Sequence, residues 1–217
     1  MRILALDGSL ARASAALWAD GAVLARRTVA GDRGQPTALP PMAEELLRGG
    51  GALDAVAVVV GPGGFTGLRA AIALAEGIAL GRSVPLVGVT TGEALAAAVP
   101  EALRAGRAVW AAIDTKRGRI ALERIGADTL AAACAPMVLE EAALPRPEGP
   151  VAIVGDAAPT AAARLLARHA GDVVLTDSRL PDAGAAALVA ALRLAGRLPP
   201  RGGAPLYAEP PAVRLPG

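Results

Sequence analysis

Short apolar runs separated by polar turns set the rhythm of the chain. RILALD (2–7) is the first, and ASAALWA (13–19) and AVLARRTVA (22–30) follow on either side of Asp20-Gly21. An Asp-Gly pair between two apolar runs is a hairpin signal, so the chain is expected to open as a three-stranded meander. Over 37–48, TALPPMAEELLR, the positions Leu39, Met42, Leu46 and Leu47 recur at helical spacing. Pro40 and Pro41 are expected in the first turn of that helix. DAVAVVV (54–60) is continuously apolar, as buried parallel strands are. A glycine-rich loop and a helix over 66–80 come next. A strand at 85–89 and a helix at 90–99, capped by Thr90 or Thr91, complete this half.

The order then restarts. Strands are predicted at 107–114 and 118–125, with a third at 137–141 entering a short helix. The segment 145–150 is rich in Pro and Gly. VAIVGD (151–156) is a buried strand, followed by a helix at 159–169, a strand at 173–176, a helix at 182–196 and an extended Pro-rich tail from 199. Both halves read roughly βββ-α-β-α. Each opens with a strand ending in Asp and a turn: Leu6-Asp7-Gly8-Ser9, and Ile113-Asp114-Thr115 running on to Gly118. A duplicated lobe of this order is similar to the actin, hexokinase and Hsp70 superfamily, in which the paired turns grip the phosphates of ATP. The expected fold class is therefore α/β, an actin-like (ASKHA, ribonuclease H-like) duplicated two-lobe fold with mixed central sheets. Its N-terminal lobe is expected at 1–103 and its C-terminal lobe at 104–217.

Composition narrows the function classes. Of 217 residues, 53% are hydrophobic but only 2% aromatic, so the core must be built from Ala, Leu and Val. The net charge of +2 and the lack of a basic cluster denser than Lys116, Arg117 and Arg119 argue against a large stand-alone nucleic-acid surface. One cysteine, Cys134, forms no intrachain disulfide and suits a reducing compartment. No signal peptide is recognised at the start, and no window reaches the roughly 18 to 20 apolar residues of a membrane span. A cytoplasmic protein is expected. His169 is the one histidine, placed at a helix end before Gly171, so no metal site is expected. No G-x-S-x-G elbow is present for a serine hydrolase.

VVVGPGGFTGLR (58–69) is the most informative stretch. A strand feeding a loop with Gly61, Gly63, Gly64 and Gly67, feeding a helix, is a common way to cradle phosphate. A P-loop would need a lysine that is absent. In a G-x-G-x-x-G fingerprint Thr66 takes the place of the third glycine. The other reading is a sharp turn needing positive φ angles. Asp7, Ser9 and Asp114 are candidates for a nucleotide cleft, against the reading that strand-end aspartates simply form turns. In VGDAAPTA (154–161), Asp156 puts a negative charge where a phosphate would approach. The following helix carries only Arg69 and Glu76 as charges within 65–81, seven residues apart on one narrow stripe. Two small rows, Ala71-Ala75-Ala79 and Ala73-Gly77-Gly81, repeat every four residues. Either this helix is central to the core, or its outer face meets another protein.

These residues resemble the TsaB (YeaZ) family. GPGGFTGLRAAIALAEGIAL resembles its signature, usually with Ser where Gly64 stands. ILALDGS, PMAEELL, IDTKRGRI and PLYAEPPAV (205–213) resemble further family segments, in order from residue 3 to 213. Three positions depart from the family pattern. Gly8 replaces a Thr, GQPTALPP lacks a His-Ser, and a Tyr after the IDTKRGRI block is missing. All three reduce polar capacity in the cleft.

The resemblance implies an actin-like fold and a non-catalytic subunit of the enzyme that makes N6-threonylcarbamoyladenosine at position 37 of tRNAs reading ANN codons. It implies no cofactor, pairing with TsaD through the two N-lobe helices, the small ATPase TsaE as a third member, and tRNA bound only within the complex. A homodimer of the isolated chain is a further expectation. On this reading the glycine loop is a tight turn that starts an interface helix. Met42, Leu46, Leu68, Ile72 and Ala75 are expected as partner contacts, with Arg69 and Glu76 at the rim, and Asp7, Ser9 and Asp114 form a vestigial nucleotide cleft. The alternative is a stand-alone actin-fold ATPase or small-molecule kinase.

Overall fold

The structure is a computed structural model that describes residues 1–31, 33–168 and 171–209. His169 and residues 210–213 of the tail segment lie outside the described residues. The meander forms as expected, with β1 (Arg2–Leu10), β2 (Arg12–Ala19) and β3 (Ala22–Ala30) joined antiparallel and Asp20 and Gly21 at positive φ in the turn. Helix α1 (Gln35–Leu47) starts two residues before the predicted point. Pro36 occupies its first turn, and Pro40 and Pro41 fall inside the helix. β4 (Ala55–Gly61), α2 (Phe65–Arg82), β5 (Leu86–Thr90), α3 (Thr91–Ala97) and a single turn α4 (Glu101–Arg104) follow. The second half contains β6 (Ala108–Asp114), β7 (Arg119–Ile125), β8 (Met137–Glu140), a 3₁₀ turn at Glu141–Ala143, β9 (Val151–Val154), α5 (Ala158–Ala167), β10 (Val173–Leu175) and α6 (Ala183–Leu194).

Two five-stranded mixed sheets result, ordered β3-β2-β1-β4-β5 and β10-β9-β6-β7-β8. Matching β1 to β6, β2 to β7 and so on makes the two orders the same, so the duplication read from the element pattern is realised in the topology. In both, the first strand pairs antiparallel with the second and parallel with the fourth. One asymmetry separates the halves. Where the first has the 13-residue α1, the second has only the 3₁₀ turn.

Side-chain alternation along β1 divides the first core in two. Leu4 and Leu6 face one way and pack with Leu39, Met42, Leu46, Ile72 and Ala75 of α1 and α2. Ile3 and Ala5 face the other way and pack with Ala183, Ala186, Ala187 and Ala190 of α6. β4 is buried over its whole length because both faces are covered, as its unbroken apolar run requires. Helix α6 thus covers the first sheet, while α3 of the first half packs on β6 and β7 of the second. The sheets divide between β5 and β6, but one core joins Val89 and Leu95 to Val109, Ile125 and Ala190. Alanine on the facing surfaces allows the helices to approach closely.

The two exchanged helices meet at a buried ion pair. Glu93 of α3 and Arg193 of α6 are 2.6 Å apart, with side chains 1% and 4% exposed. Glu93 also closes a capping box with Thr90 and accepts the Ala132 N–H at 3.1 Å. Arg193 donates further to the carbonyls of Gly88 and Pro199. Every charged atom of the pair that faces protein is therefore matched, which is the condition under which such a pair is tolerated. Removing one partner leaves an uncompensated buried charge. Glu93→Ala is expected to cost about 3–5 kcal/mol of stability, read from chemical denaturation. Arg193→Ala should cost a similar amount, and the double variant less than the sum of the two.

Candidate functional site

The glycine loop after β4 packs directly against the turn at the end of β1. Gly61 has φ +113°. A Cβ on Gly63 would overlap the Ser9 carbonyl, and one on Gly67 would overlap the Gly8 carbonyl. The Gly64 N–H donates to the Ser9 carbonyl at 2.7 Å. Glycine is thus required here because two backbone segments touch, and a donor at the head of α2 is already taken by the protein itself.

A cleft of about 750 Å³ opens between the lobes at this point, lined on one side by Ser9, Gln35, Thr37, Gly63 and Thr66, and on the other by Ile113, Asp114, Lys116 and Asp156. On the C-lobe side the Asp114 N–H donates to Asp156 Oδ1 at 2.8 Å. Lys116 Nζ lies 3.0 Å from Asp114 and 3.7 Å from Asp156. The Asp156 carboxylate therefore sits where an anionic ligand would seek that N–H. Burial alone would raise Asp114, but the Lys116 amide and ammonium outweigh it and hold the carboxyl below its ordinary value. Burial pushes Asp156 up. Of the three predicted cleft residues, Asp114 and Ser9 line the cavity. Asp7 is fully buried behind it and accepts the Ser9 N–H at 2.9 Å. Burial pushes its carboxyl up to about 6, against the opposing pull of Ser9 and Arg12. The Gly64, Asp114, Thr115 and Lys116 N–H groups are bonded within the chain, which takes four donors from a phosphate cradle, while the Ser9 hydroxyl has no hydrogen-bond partner among the described residues. Among the described residues, no group of three or more His, Cys, Asp or Glu could hold a metal ion.

The α2 assignments need correction. Leu68 and Ala75 are fully buried, and Ile72, Met42 and Leu46 nearly so; Ala75, Ile72, Met42 and Leu46 pack in the core on the chain's own first sheet, and Leu68 lies beside Gly61 at the end of β4. They are core residues, not surface contacts. Helix α2 is apolar on both sides, so hydrophobicity alone could not tell which side met the sheet. The row Ala71-Ala75-Ala79 is the inward one. Outside lie Ala73, Glu76, Gly77, Leu80 and Gly81, with Leu80 83% exposed. Arg69 and Glu76 are exposed, as a rim position requires. Arg69 is held in place: its guanidinium lies 3.9 Å from the Phe65 ring centroid and donates to the Tyr207 hydroxyl at 2.8 Å.

The family described as TsaD: tRNA N6-adenosine threonylcarbamoyltransferase matches residues 37–168, more than half of the chain, from α1 through α5. The chain belongs to this family. It is 38% identical over 124 residues to the tRNA threonylcarbamoyladenosine biosynthesis protein TsaB of Escherichia coli, a match covering 55% of this chain and 53% of that protein. The chain spans about half the length of the curated relatives it matches. The solved structure of YeaZ from Pseudomonas aeruginosa is 28% identical, with a TM-score of 0.79 covering 95% of this chain and 99% of that one. A ROK hexokinase from Thermus thermophilus shares the fold at 14% identity, with a TM-score of 0.52 over 89% of this chain and all of that one. The TsaB/YeaZ resemblance and the actin-like two-lobe fold are thereby supported directly.

Sequence reasoning missed the tail's place in the site. Tyr207, Ala208 and Glu209 line the cleft, and the matched segment PLYAEPPAV had marked them without giving a physical role. It also missed Glu123. This residue is fully buried on β7 and accepts the Gly92 N–H of α3 at 2.9 Å, while its Oε1 has no hydrogen-bond partner among the described residues. Burial pushes it up to about 7, with Glu93 adding to the rise. Asp7 and Glu123 thus bind protons more tightly folded than unfolded, where their ordinary values are 3.8 and 4.5. Their contribution to stability is complete below those values and is lost as pH rises through about 6 and about 7. Unfolding by urea at pH 5 and pH 8 should show wild type weaker at pH 8. Glu123→Gln should narrow that difference by about 1–3 kcal/mol; an unchanged difference would mean Glu123 does not titrate in this range.

Proposed function

We propose that this chain takes part in threonylcarbamoyladenosine synthesis on tRNA as a non-catalytic scaffold. It pairs with a TsaD-type catalytic subunit and supports threonylcarbamoyl transfer to adenosine 37 of ANN-decoding tRNAs. The observation that carries this reading is the outer face of α2. Ala73, Gly77 and Gly81 form a smooth row beside the exposed Leu80, on a helix whose other side already fills the core. Small residues every four positions let a second helix approach closely, and an exposed apolar patch of this kind marks an interaction site. The names of the TsaB and YeaZ relatives agree with it. Arg69 and Glu76 flank the row as rim contacts, and the outward side of α1, through Pro40, Pro41 and Glu44, continues the surface.

On this reading the first lobe, residues 1–103, is the partner-binding unit and residues 104–217 form the second lobe. The small ATPase TsaE and tRNA join through the heterodimer, in the cytoplasm, and the free chain dimerises through the same face. The cleft at Asp7, Ser9 and Asp114 is a vestige of nucleotide-binding ancestry. The turn N–H groups already bonded within the chain, with the Asp156 carboxylate beside Asp114, support that role over a stand-alone kinase.

A Cβ at Gly77 would meet nothing within 4 Å. Gly77→Arg should therefore leave the isolated chain folded by circular dichroism, and even gain about 1 kcal/mol of helix propensity. Its co-purification with the TsaD-type subunit should fall more than about tenfold, the loss expected for a disrupted interface core. Ile72→Arg should unfold the isolated chain instead. Normal pairing by Gly77→Arg would remove this face from the interface.

A further inference from the structure

The segment after α6 makes an ordered path along the molecule, with Leu198 and Leu206 packed at the edges of the two first-lobe cores. Arg193 Nε donates to the Pro199 carbonyl at 2.8 Å, which roots the segment at the buried ion pair. The Gly88 N–H of β5 then donates to the Arg201 carbonyl at 2.9 Å, and the Leu206 N–H donates to the Val60 carbonyl of β4 at 2.7 Å. A Cβ on Gly88 or Gly61 would overlap the carbonyls of Gly202 and Leu206. Two core glycines are thus shaped to receive this segment. Up to Leu206 it is bound by main chain to the first lobe.

The next three residues touch three different parts of the molecule. Tyr207 stacks on Phe65, with ring centroids 5.7 Å apart, and accepts the Arg69 hydrogen bond at the head of α2. Ala208 packs against the small cluster of Leu10, Ile113 and Ala121 where the lobes meet. Glu209 lies 3.2 Å from Arg117 and 2.7 Å from Arg119 on the β6–β7 hairpin of the second lobe. The Arg117 contact is a charge-assisted hydrogen bond, and the Arg119 contact is an ion pair without hydrogen-bond geometry.

We propose that residues 199–209 are an interlobe strap that sets the opening of the cleft, with Glu209 as its latch on the second lobe. Release of the latch frees the cleft mouth. It also loosens Tyr207, the positioning residue that holds Phe65 and Arg69 at the head of α2. Both ends of the device are thereby coupled, because Tyr207 and Glu209 are separated by a single residue. The inference does not rest on the partner reading, since cleft opening is a property of the chain alone.

The test is a pulsed-EPR distance across the cleft in the full-length chain. Spin labels are placed at Glu44→Cys on α1 and Glu140→Cys on β8, both exposed, in a Cys134→Ala background. With the strap latched, the distance distribution is narrow. Glu209→Lys is expected to broaden it and shift it to longer distances. Reversing both sides of the contact (Arg117→Glu, Arg119→Glu and Glu209→Arg together) should restore the narrow distribution. As a check that needs no charge reversal, about 1 M salt, where the screening length is about 3 Å, should broaden the distribution of the labelled parent. It should leave that of Glu209→Gln unchanged, because that variant is already open. An unchanged distribution in Glu209→Lys would overturn the strap. Broadening that the triple reversal fails to cure would overturn the ion pair as its latch.

Discussion

The ion pair between Glu93 and Arg193 ties together parts of the chain that also share one apolar core. A carboxylate and a guanidinium taken out of water are costly, and their attraction offsets that cost only when the remaining donors and acceptors are also matched. Here the matching is done by the elements that need to be tied: the capping box of α3, the Ala132 N–H of the second lobe, the Gly88 carbonyl of β5 and the Pro199 carbonyl at the root of the strap. The exchange of α3 and α6 between the two sheets passes through this point, inside the apolar cluster they share.

From that joint two consequences run outward. The first is a cleft in which several polar groups answer one another, while the Ser9 hydroxyl has no partner among the described residues. Gly64 is bonded to Ser9, Asp114 to Asp156, and Lys116 to both aspartates. The fold is shared with a ROK hexokinase, while several backbone donors of the two turns are used internally. The second is that α2, anchored inward by Leu68, Ile72 and Ala75, turns its smooth row of Ala73, Gly77 and Gly81 to the outside. The glycines that resemble a phosphate loop are packed against the turn after β1, which fixes the head of α2.

Much of this was legible in the sequence, for physical reasons. Asp20-Gly21 announced the hairpin, the unbroken apolar run of β4 announced a strand covered on both faces, and the repeated strand-Asp-turn pattern announced the duplication. The side of α2 was not legible. Alanine, glycine and leucine occupy both faces, so burial depended on which strand crossed beneath, and the wrong row was assigned to the surface. The start of α1 was placed late because Pro40 and Pro41 look like first-turn residues, whereas Pro36 holds that position. The carboxylates that titrate near neutrality were out of reach for a different reason. Nothing local to Glu123 signals that β7 will bury it against the head of α3. The strap was visible only as a matched motif, because its partners on β4, the head of α2 and the β6–β7 hairpin lie far from it in the chain, 92 residues away for Arg117 and Glu209.

Hydrogen exchange measured by mass spectrometry, on this chain alone, with magnesium ATP and with a TsaD-type catalytic subunit, tests the central claim most directly. The account predicts slowed exchange in α1 and α2 on adding the catalytic subunit. It predicts no change at residues 7–11, 61–67 or 114–119 on adding ATP. Protection of those three turns by ATP, with α1 and α2 indifferent to the subunit, would contradict it and make the cleft, not the helix face, the working part of the molecule.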